Sequence, residues 1–225
     1  MNSTEISTQG ARVAPMIDHT LLKPEATMEQ VAVICREAVQ YSFAAVCVNP
    51  IFIKRAAGIL TGSRVKPCTV IGFPSGAVTT RTKRAQAAEA VADGAMELDM
   101  VMAIGSLKER DFKYVLEDVR AVVGEAGGRC VKVILETCLL TDQEKVAACR
   151  IVVDAGARCV KTSTGLAGGG ATVDDIRLMR KTVGPSFGVK ASGGIRTLQE
   201  VLSLIEAGAD RIGTSSGVAI VATAV

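Results

Sequence analysis

A single α/β domain folded as a (β/α)8 TIM barrel is predicted by three features of the 225-residue sequence. Eight short apolar runs alternate with amphipathic stretches, the pattern of parallel strands joined by crossover helices. The segments DGA, DAGAR and EAGAD recur where a helix gives way to a strand, which marks a repeated strand–helix unit. The length suits the small end of the closed eight-stranded range, and no Pro- or Ser-rich linker divides the chain. An open, doubly wound sheet is the competing arrangement, but its usual Gly-rich fingerprint after the first strand is missing. The barrel is expected over 13–225, behind a polar tail over 1–12.

In chain order, strand one is read over 15–18 and the next helix over 28–41. Strand two at 44–48 precedes a helix over 50–60, and strand three at 67–71 precedes one over 80–93 that Gly94 closes. Strand four, 95–101, leads to a helix over 112–126 ended by Gly127. Strand five, 131–136, leads to a helix over 142–154 that Thr141 caps, with Asp142 and Glu144 in its first turn and Gly156 after its end. Strand six, 158–162, is followed by a helix over 173–183, and strand seven, 188–191, by one over 197–207 that ends at Gly208. Strand eight is 210–213, and the apolar tail 218–225 would close the barrel floor, join an interface, or do both.

Composition narrows the function. Aromatic residues are 3% of the chain, Trp is absent and the net charge is +3, which argues against a base-stacking or nucleic-acid platform. No apolar run is long enough for a membrane span, and the N-terminal MNSTEISTQGARV lacks the apolar stretch of a secretory signal. Seven Cys, an odd number with no CxxC, suit reduced thiols and a cytoplasmic location. His19 is the only His, so a zinc site with several imidazoles is excluded within one chain.

In such barrels the chemistry sits where strands end and loops begin. Side chains alternate along a strand. With Val160 and Thr162, Val189 and Ala191, and Leu98 and Met100 facing the helices, Lys161, Lys190 and Asp99 point into the barrel. A lone inward lysine would most simply be a structural ion pair with Asp99 or Glu97. Two on neighbouring strands each raise the cost of charging the other. A free lysine with a pKa of about 10.4 is neutral about once in 2,500 molecules at pH 7, and bringing it to about 7 takes roughly 4.6 kcal/mol. An ammonium at about 5 Å supplies roughly 3 kcal/mol at an effective dielectric near 20, and burial can supply the rest. The neutral amine is the form that attacks a carbonyl. The arithmetic leaves open which lysine attacks, because Asp99 would stabilise the charge on whichever it touches.

Two small-residue loops, Ser192–Gly193–Gly194–Ile195–Arg196–Thr197 and Gly213–Thr214–Ser215–Ser216–Gly217, follow strands seven and eight, the common phosphate position of these barrels. Arg196 adds charge there or is a surface residue of the helix's first turn, and Gly168–Gly169–Gly170 reads as a flexible loop that lets the strand-six loop reach the ligand.

Six segments, taken in order, resemble the deoxyribose-phosphate aldolase family: DHTLLKP at 18–24, ELDMV at 97–101, KVILET at 132–137, VKTSTG at 160–165, VKASGGIR at 189–196 and RIGTSS at 211–216. The resemblance spans nearly the whole chain. It implies a class I aldolase that reversibly splits 2-deoxy-D-ribose 5-phosphate into acetaldehyde and D-glyceraldehyde 3-phosphate, in deoxyribonucleotide catabolism. It implies Lys161 as the Schiff-base nucleophile, Lys190 as the lysine that lowers the nucleophile's pKa, and Asp99 as the acid that shuttles protons through a water. Asp18, Thr20 and Cys47 match positions lining the aldehyde site, and Thr164, Gly165, Gly193, Gly194, Arg196, Gly213, Ser215 and Ser216 the substrate and phosphate loops. Cys47 reads either as a small buried hydrophobe or, facing the pocket, as a target for unsaturated aldehydes. No metal or other cofactor is expected, because the iminium is itself the electron sink. The expected partners are the sugar phosphate and acetaldehyde, in a homo-oligomer (dimer or tetramer), without nucleic acid or membrane.

Two departures stand out. Leu166 occupies the position where some relatives carry a lysine, which throws phosphate binding onto loop amides. Residues 219–225 replace the tyrosine-bearing tail of other relatives, which leaves Asp99 and water to move protons. A different Schiff-base aldolase, a sugar-phosphate isomerase and a non-catalytic sugar-phosphate binder remain as alternatives on this scaffold.

Overall fold

The structure is a computed structural model and describes residues 8–222. Eight parallel strands pair in sequence order and the last closes onto the first, the barrel that the alternating pattern predicts. The strands are β1 (Ile17–Leu21), β2 (Ala45–Val48), β3 (Lys66–Ile71), β4 (Glu97–Val101), β5 (Cys130–Ile134), β6 (Cys159–Lys161), β7 (Gly188–Ser192) and β8 (Arg211–Thr214). The helices are α1 (Thr8–Val13), α2 (Met28–Gln40), α3 (Ile53–Leu60), α4 (Thr80–Ala92), α5 (Ile104–Lys108), α6 (Phe112–Glu125), α7 (Asp142–Asp154), α8 (Val173–Val183), α9 (Leu198–Glu206) and α10 (Gly217–Val221).

Three helices escape the sequence reading because each spans fewer than two turns, too short for a period of 3.6 to register. α5 follows β4, while α1 and α10 come from the two segments read as tails. α1 packs against α10, and Gly10, Val13, Gly217, Ile220 and Val221 are buried. Residues 1–7 and 223–225 of those tails lie outside the described residues.

Strand limits move for identifiable reasons. Pro15 sits in a 3-10 turn over Ala14–Met16, where its missing N–H costs no ladder bond, so β1 starts at Ile17. β5 stops at Ile134 because Glu136 takes a left-handed backbone, φ 57°. Helix ends follow their signals. Thr141 and Glu144 form a reciprocal capping box, as do Thr27 with Gln30 and Thr197 with Glu200. Gly94, Gly127, Gly156 and Gly208 all have positive φ, the conformation a C-terminal glycine supplies.

Each strand divides its side chains between two environments. Val46, Leu98, Met100, Val131, Val133, Val160, Val189, Ala191 and Ile212 face the helices and belong to one large apolar layer. Each fully buried Val, Leu or Ile there contributes roughly 1.5–3 kcal/mol. A second, small apolar cluster of Ala45, Cys47, Cys68 and Val70 fills the lumen beside β2 and β3. The rest of the lumen at this level is charged, where branched apolar side chains ordinarily fill such barrels. Outside the lumen, Lys83 of α4 donates to Asp118 of α6 at 2.5 Å and to the Val101 carbonyl at 3.0 Å, with both side chains fully buried. That pair ties two helices to the mouth end of β4.

Candidate active site

Strand register brings the inward charges together. Asp99 and Lys132 are partners across β4 and β5, as are Lys161 and Lys190 across β6 and β7. Asp99 is fully buried, and its two carboxylate oxygens serve different lysines. Oδ2 accepts from Lys161 Nζ at 2.8 Å and Lys190 Nζ at 2.7 Å, while Oδ1 accepts from Lys132 Nζ at 2.7 Å. Asp18 pairs with Lys190, with Lys132 at 3.2 Å and with Arg211 at 3.3 Å. Glu97 meets Lys132 and Arg211, each at 2.6 Å. Four cations therefore face three carboxylates, which leaves one positive charge in excess in a buried network.

The network favours the charged forms of Asp18, Asp99, Lys132 and Lys190. Burial opposes ionisation of Asp99, but Lys132, Lys161 and Lys190 outweigh it and keep the carboxyl well below the usual carboxylate range. Burial likewise opposes a charged Asp18, and Lys132, Lys190 and Arg211 pull its pKa down. Burial disfavours the ammonium of Lys190, yet Asp18 and Asp99 raise it above the ordinary lysine value. Lys132 is raised against burial too, by Asp18 and Asp99 first. Simple repulsion between two lysines is thus an incomplete account of this site. Asp99 touches both Lys161 and Lys190, so it does not distinguish them. Asp18 does, because among the described residues it pairs with Lys190 and not with Lys161.

Lys161 alone of the four cations reaches the cavity above the network, a space of about 380 Å³ at the C-terminal mouth of the barrel. Thr20, Thr164, Gly165, Gly193, Gly194, Arg196, Gly213 and Ser215 are on its wall. Asp18, Asp99, Lys190 and Cys47 lie beneath it, fully buried, and are not wall residues. Ser216 is also off the wall, and its amide is taken by Thr214 Oγ1 at 2.9 Å. Among the described residues no Asp or Glu lines the cavity, whereas Lys23, Lys161 and Arg196 do. The chamber is therefore suited to an anion at its rim and an electrophile above Lys161. The Gly168–Gly170 segment is more constrained than a free loop. A Cβ on Gly170 would lie 2.3 Å from the Gly193 carbonyl, so the glycine permits two loops to touch.

Sequence reasoning misses three contributors. Lys132 obeys the same alternation that places Lys161 inward, since Val131 and Val133 face the helices, so the signal is present. Lys23 lies just beyond β1, and nothing local marks it as a rim residue. Glu136 requires the tertiary fold. Its buried carboxylate accepts from the Thr164 amide at 3.2 Å and Thr164 Oγ1 at 2.5 Å, and Thr164 Oγ1 in turn accepts from the Leu166 amide at 3.1 Å. A left-handed non-glycine backbone costs about 1–3 kcal/mol, and here it aims the carboxylate at the neighbouring loop.

A parallel eight-stranded barrel with a cation-lined cavity at its C-terminal mouth places the chain among (β/α)8-barrel enzymes. The family model described as DeoC/LacD family aldolase matches residues 12–223. A deoxyribose-phosphate aldolase of Brevibacillus brevis is 59% identical over 205 residues, covering 91% of this chain and 93% of that protein. A deoxyribose-phosphate aldolase of Listeria monocytogenes is 58% identical over 210 residues, covering 93% and 94%. Among solved structures, the tetrameric deoxyribose phosphate aldolase from Aeropyrum pernix superposes with a TM-score of 0.87 at 35% identity, over 94% of this chain and 90% of that one. The chain belongs to the DeoC/LacD family of aldolases.

Proposed function

We propose that this protein is a class I deoxyribose-phosphate aldolase, which cleaves 2-deoxy-D-ribose 5-phosphate to acetaldehyde and D-glyceraldehyde 3-phosphate. The observation that carries the reading is Lys161 standing between Asp99 and a carboxylate-free cavity. The neutral amine of Lys161 attacks the substrate carbonyl and water leaves, forming an iminium. The iminium at C1 draws the electrons of the C2–C3 bond, which breaks to leave an enamine and releases glyceraldehyde 3-phosphate. Asp99, through a water, removes the hydroxyl proton and returns one to the enamine carbon. Hydrolysis then frees acetaldehyde and Lys161. Lys190, held as an ammonium by Asp18 and Asp99, is the fixed positive charge beside the nucleophile. The glycine amides of the loops after β7 and β8, Ser215, Lys23 and Arg196 serve the phosphate.

A cytoplasmic location and a homo-oligomer, dimer or tetramer, complete the proposal. The described helices include none long and apolar enough to cross a membrane, and the Aeropyrum pernix relative is tetrameric. A coupled assay for glyceraldehyde 3-phosphate release tests the reaction. Borohydride reduction in the presence of acetaldehyde, followed by peptide mapping, is expected to label Lys161. Release of product without an adduct there would move the nucleophile to another lysine. Lys161→Arg is expected to abolish both activity and labelling, because guanidinium does not form the imine.

A further inference from the structure

Cys47 and Cys68 are register partners on β2 and β3, and both side chains point into the lumen. Their neighbour on the adjacent strand β4 is Asp99, to which Cys68 Sγ donates at 3.3 Å. Among the described residues this trio is the one group of three metal-type side chains whose ligand atoms all lie within 4.8 Å of one another. All three side chains are fully buried. The seven cysteines are all free thiols, and among the described residues no other two of them belong to such a group.

We propose that Cys47, Cys68 and Asp99 Oδ1 form a binding site for one thiophilic cation, with Zn²⁺ or Cd²⁺ as the ion class. Two thiolates and one carboxylate suit a soft or borderline ion and are a poor set for Mg²⁺ or Ca²⁺, which take oxygen ligands.

The lysines around the trio make the charge balance decisive. Binding releases the two thiol protons, so a divalent ion enters without changing the net charge of the network. Because the ion must displace both thiol protons, affinity should rise with pH. Lys132 Nζ donates to Asp99 Oδ1 at 2.7 Å and to Cys68 Sγ at 3.5 Å, so the ion must displace it from both, while it keeps Glu97 at 2.6 Å and Asp18 at 3.2 Å. Asp99 Oδ2 remains on Lys161 and Lys190.

Binding stands on this geometry alone. A loss of activity on metal loading rests on the proposed role of Asp99, because an ion on Oδ1 would draw off the charge that orients Lys161.

The experiment uses the reduced full-length protein. X-ray absorption on protein loaded with one equivalent of Zn²⁺ is expected to show a mixed shell, with two sulfurs at about 2.3 Å and oxygen at about 2.0–2.2 Å. Titration with Cd²⁺ is expected to raise thiolate-to-cadmium charge-transfer absorption that saturates at one equivalent. Cys68→Ala should lose that absorption, while Cys138→Ala, which alters an exposed thiol, should keep it. A shell of oxygen and nitrogen alone overturns the proposal, and so does a Cys68→Ala protein with the wild-type cadmium signal. The absorption measurement on the unaltered protein decides the matter even if Cys68→Ala misfolds. Failure of acetaldehyde–borohydride labelling in metal-free protein would count against the aldolase reading and leave the metal site untouched.

Discussion

Lys161 and Lys190 stand opposite each other on neighbouring parallel strands and donate to the same oxygen, Asp99 Oδ2, at 2.8 and 2.7 Å. One carboxylate oxygen thus links the side chain that faces the cavity to one that is wholly buried. Asp99→Asn keeps the shape of that link and removes its charge and its basicity. The expected outcome is a fall in kcat of about 10²–10⁴-fold, the span general acid–base groups contribute. Steady-state assay checks it, with circular dichroism confirming the fold. A loss confined to KM would assign Asp99 to binding.

Lys190→Met should act through charge. The variant removes the ammonium fixed beside Lys161 and leaves Asp99 Oδ2 to pair with Lys161 alone. Both changes favour the protonated nucleophile, so the rising limb of kcat/KM against pH moves to higher pH and activity near pH 7 falls. Lys190→Arg, which keeps the charge, should shift the limb less. A pH–rate series on the three proteins distinguishes this from a packing defect, which would lower the rate without moving the limb.

Stability should depend on pH at both extremes. The pKa values of Asp18 and Asp99 are depressed in the folded state, so their contribution is complete above the unfolded carboxylate value of about 3.9 and is lost as pH falls below it. Lys132 and Lys190 are raised, so theirs is complete below the unfolded lysine value of about 10.4 and is lost as pH rises past it. Thermal scans are expected to give a plateau in Tm between about pH 5 and 9 with a decline on each side. Asp99→Asn should flatten the acid decline.

Much of this network is legible from a period of two. Alternation on β4, β6 and β7 is enough to place Asp99, Lys161 and Lys190 inward, and the small-residue loops fall at the ends of β7 and β8. Lys132 obeys the same rule, but its place inside the KVILET motif hides its charge. Asp18 pairing with Lys190 joins residues 172 positions apart, which only barrel closure between β8 and β1 brings together. Glu136 is illegible for a different reason: its left-handed backbone and its hold on Thr164 depend on the neighbouring strand, and nothing in LETC states them. α1, α5 and α10 escape because one turn and a half carries no period.

The buried pair between Lys83 and Asp118 is a purely tertiary feature with a measurable cost. Both side chains have no exposure, and Lys83 also satisfies the Val101 carbonyl beyond Asp99 on β4. Asp118→Asn or Lys83→Met alone is expected to cost about 3–5 kcal/mol, because each strands a buried charge. The double variant Lys83→Met/Asp118→Leu should recover most of that loss. Urea denaturation of the three variants checks the ordering, and additive losses in the double variant would rule out the pair as the source.

Lys23 and Arg196 are the exposed cations on the cavity wall, and Leu166 beside them is apolar. If the substrate phosphate sits at this rim, the two side chains supply the long-range charge while the glycine loops supply fixed amides. An exposed charge–phosphate contact is worth less than a buried one, so Lys23→Ala and Arg196→Ala should each raise KM about threefold to tenfold, roughly 0.6–1.4 kcal/mol, with little change in kcat. The effect should shrink as salt rises, because the Debye length falls from about 10 Å at 0.1 M to about 3 Å at 1 M. Deoxyribose without its phosphate serves as the control: neither variant should alter its kcat/KM. Equal losses for the phosphorylated and unphosphorylated sugars would place these side chains in the shape of the mouth and take them out of phosphate recognition.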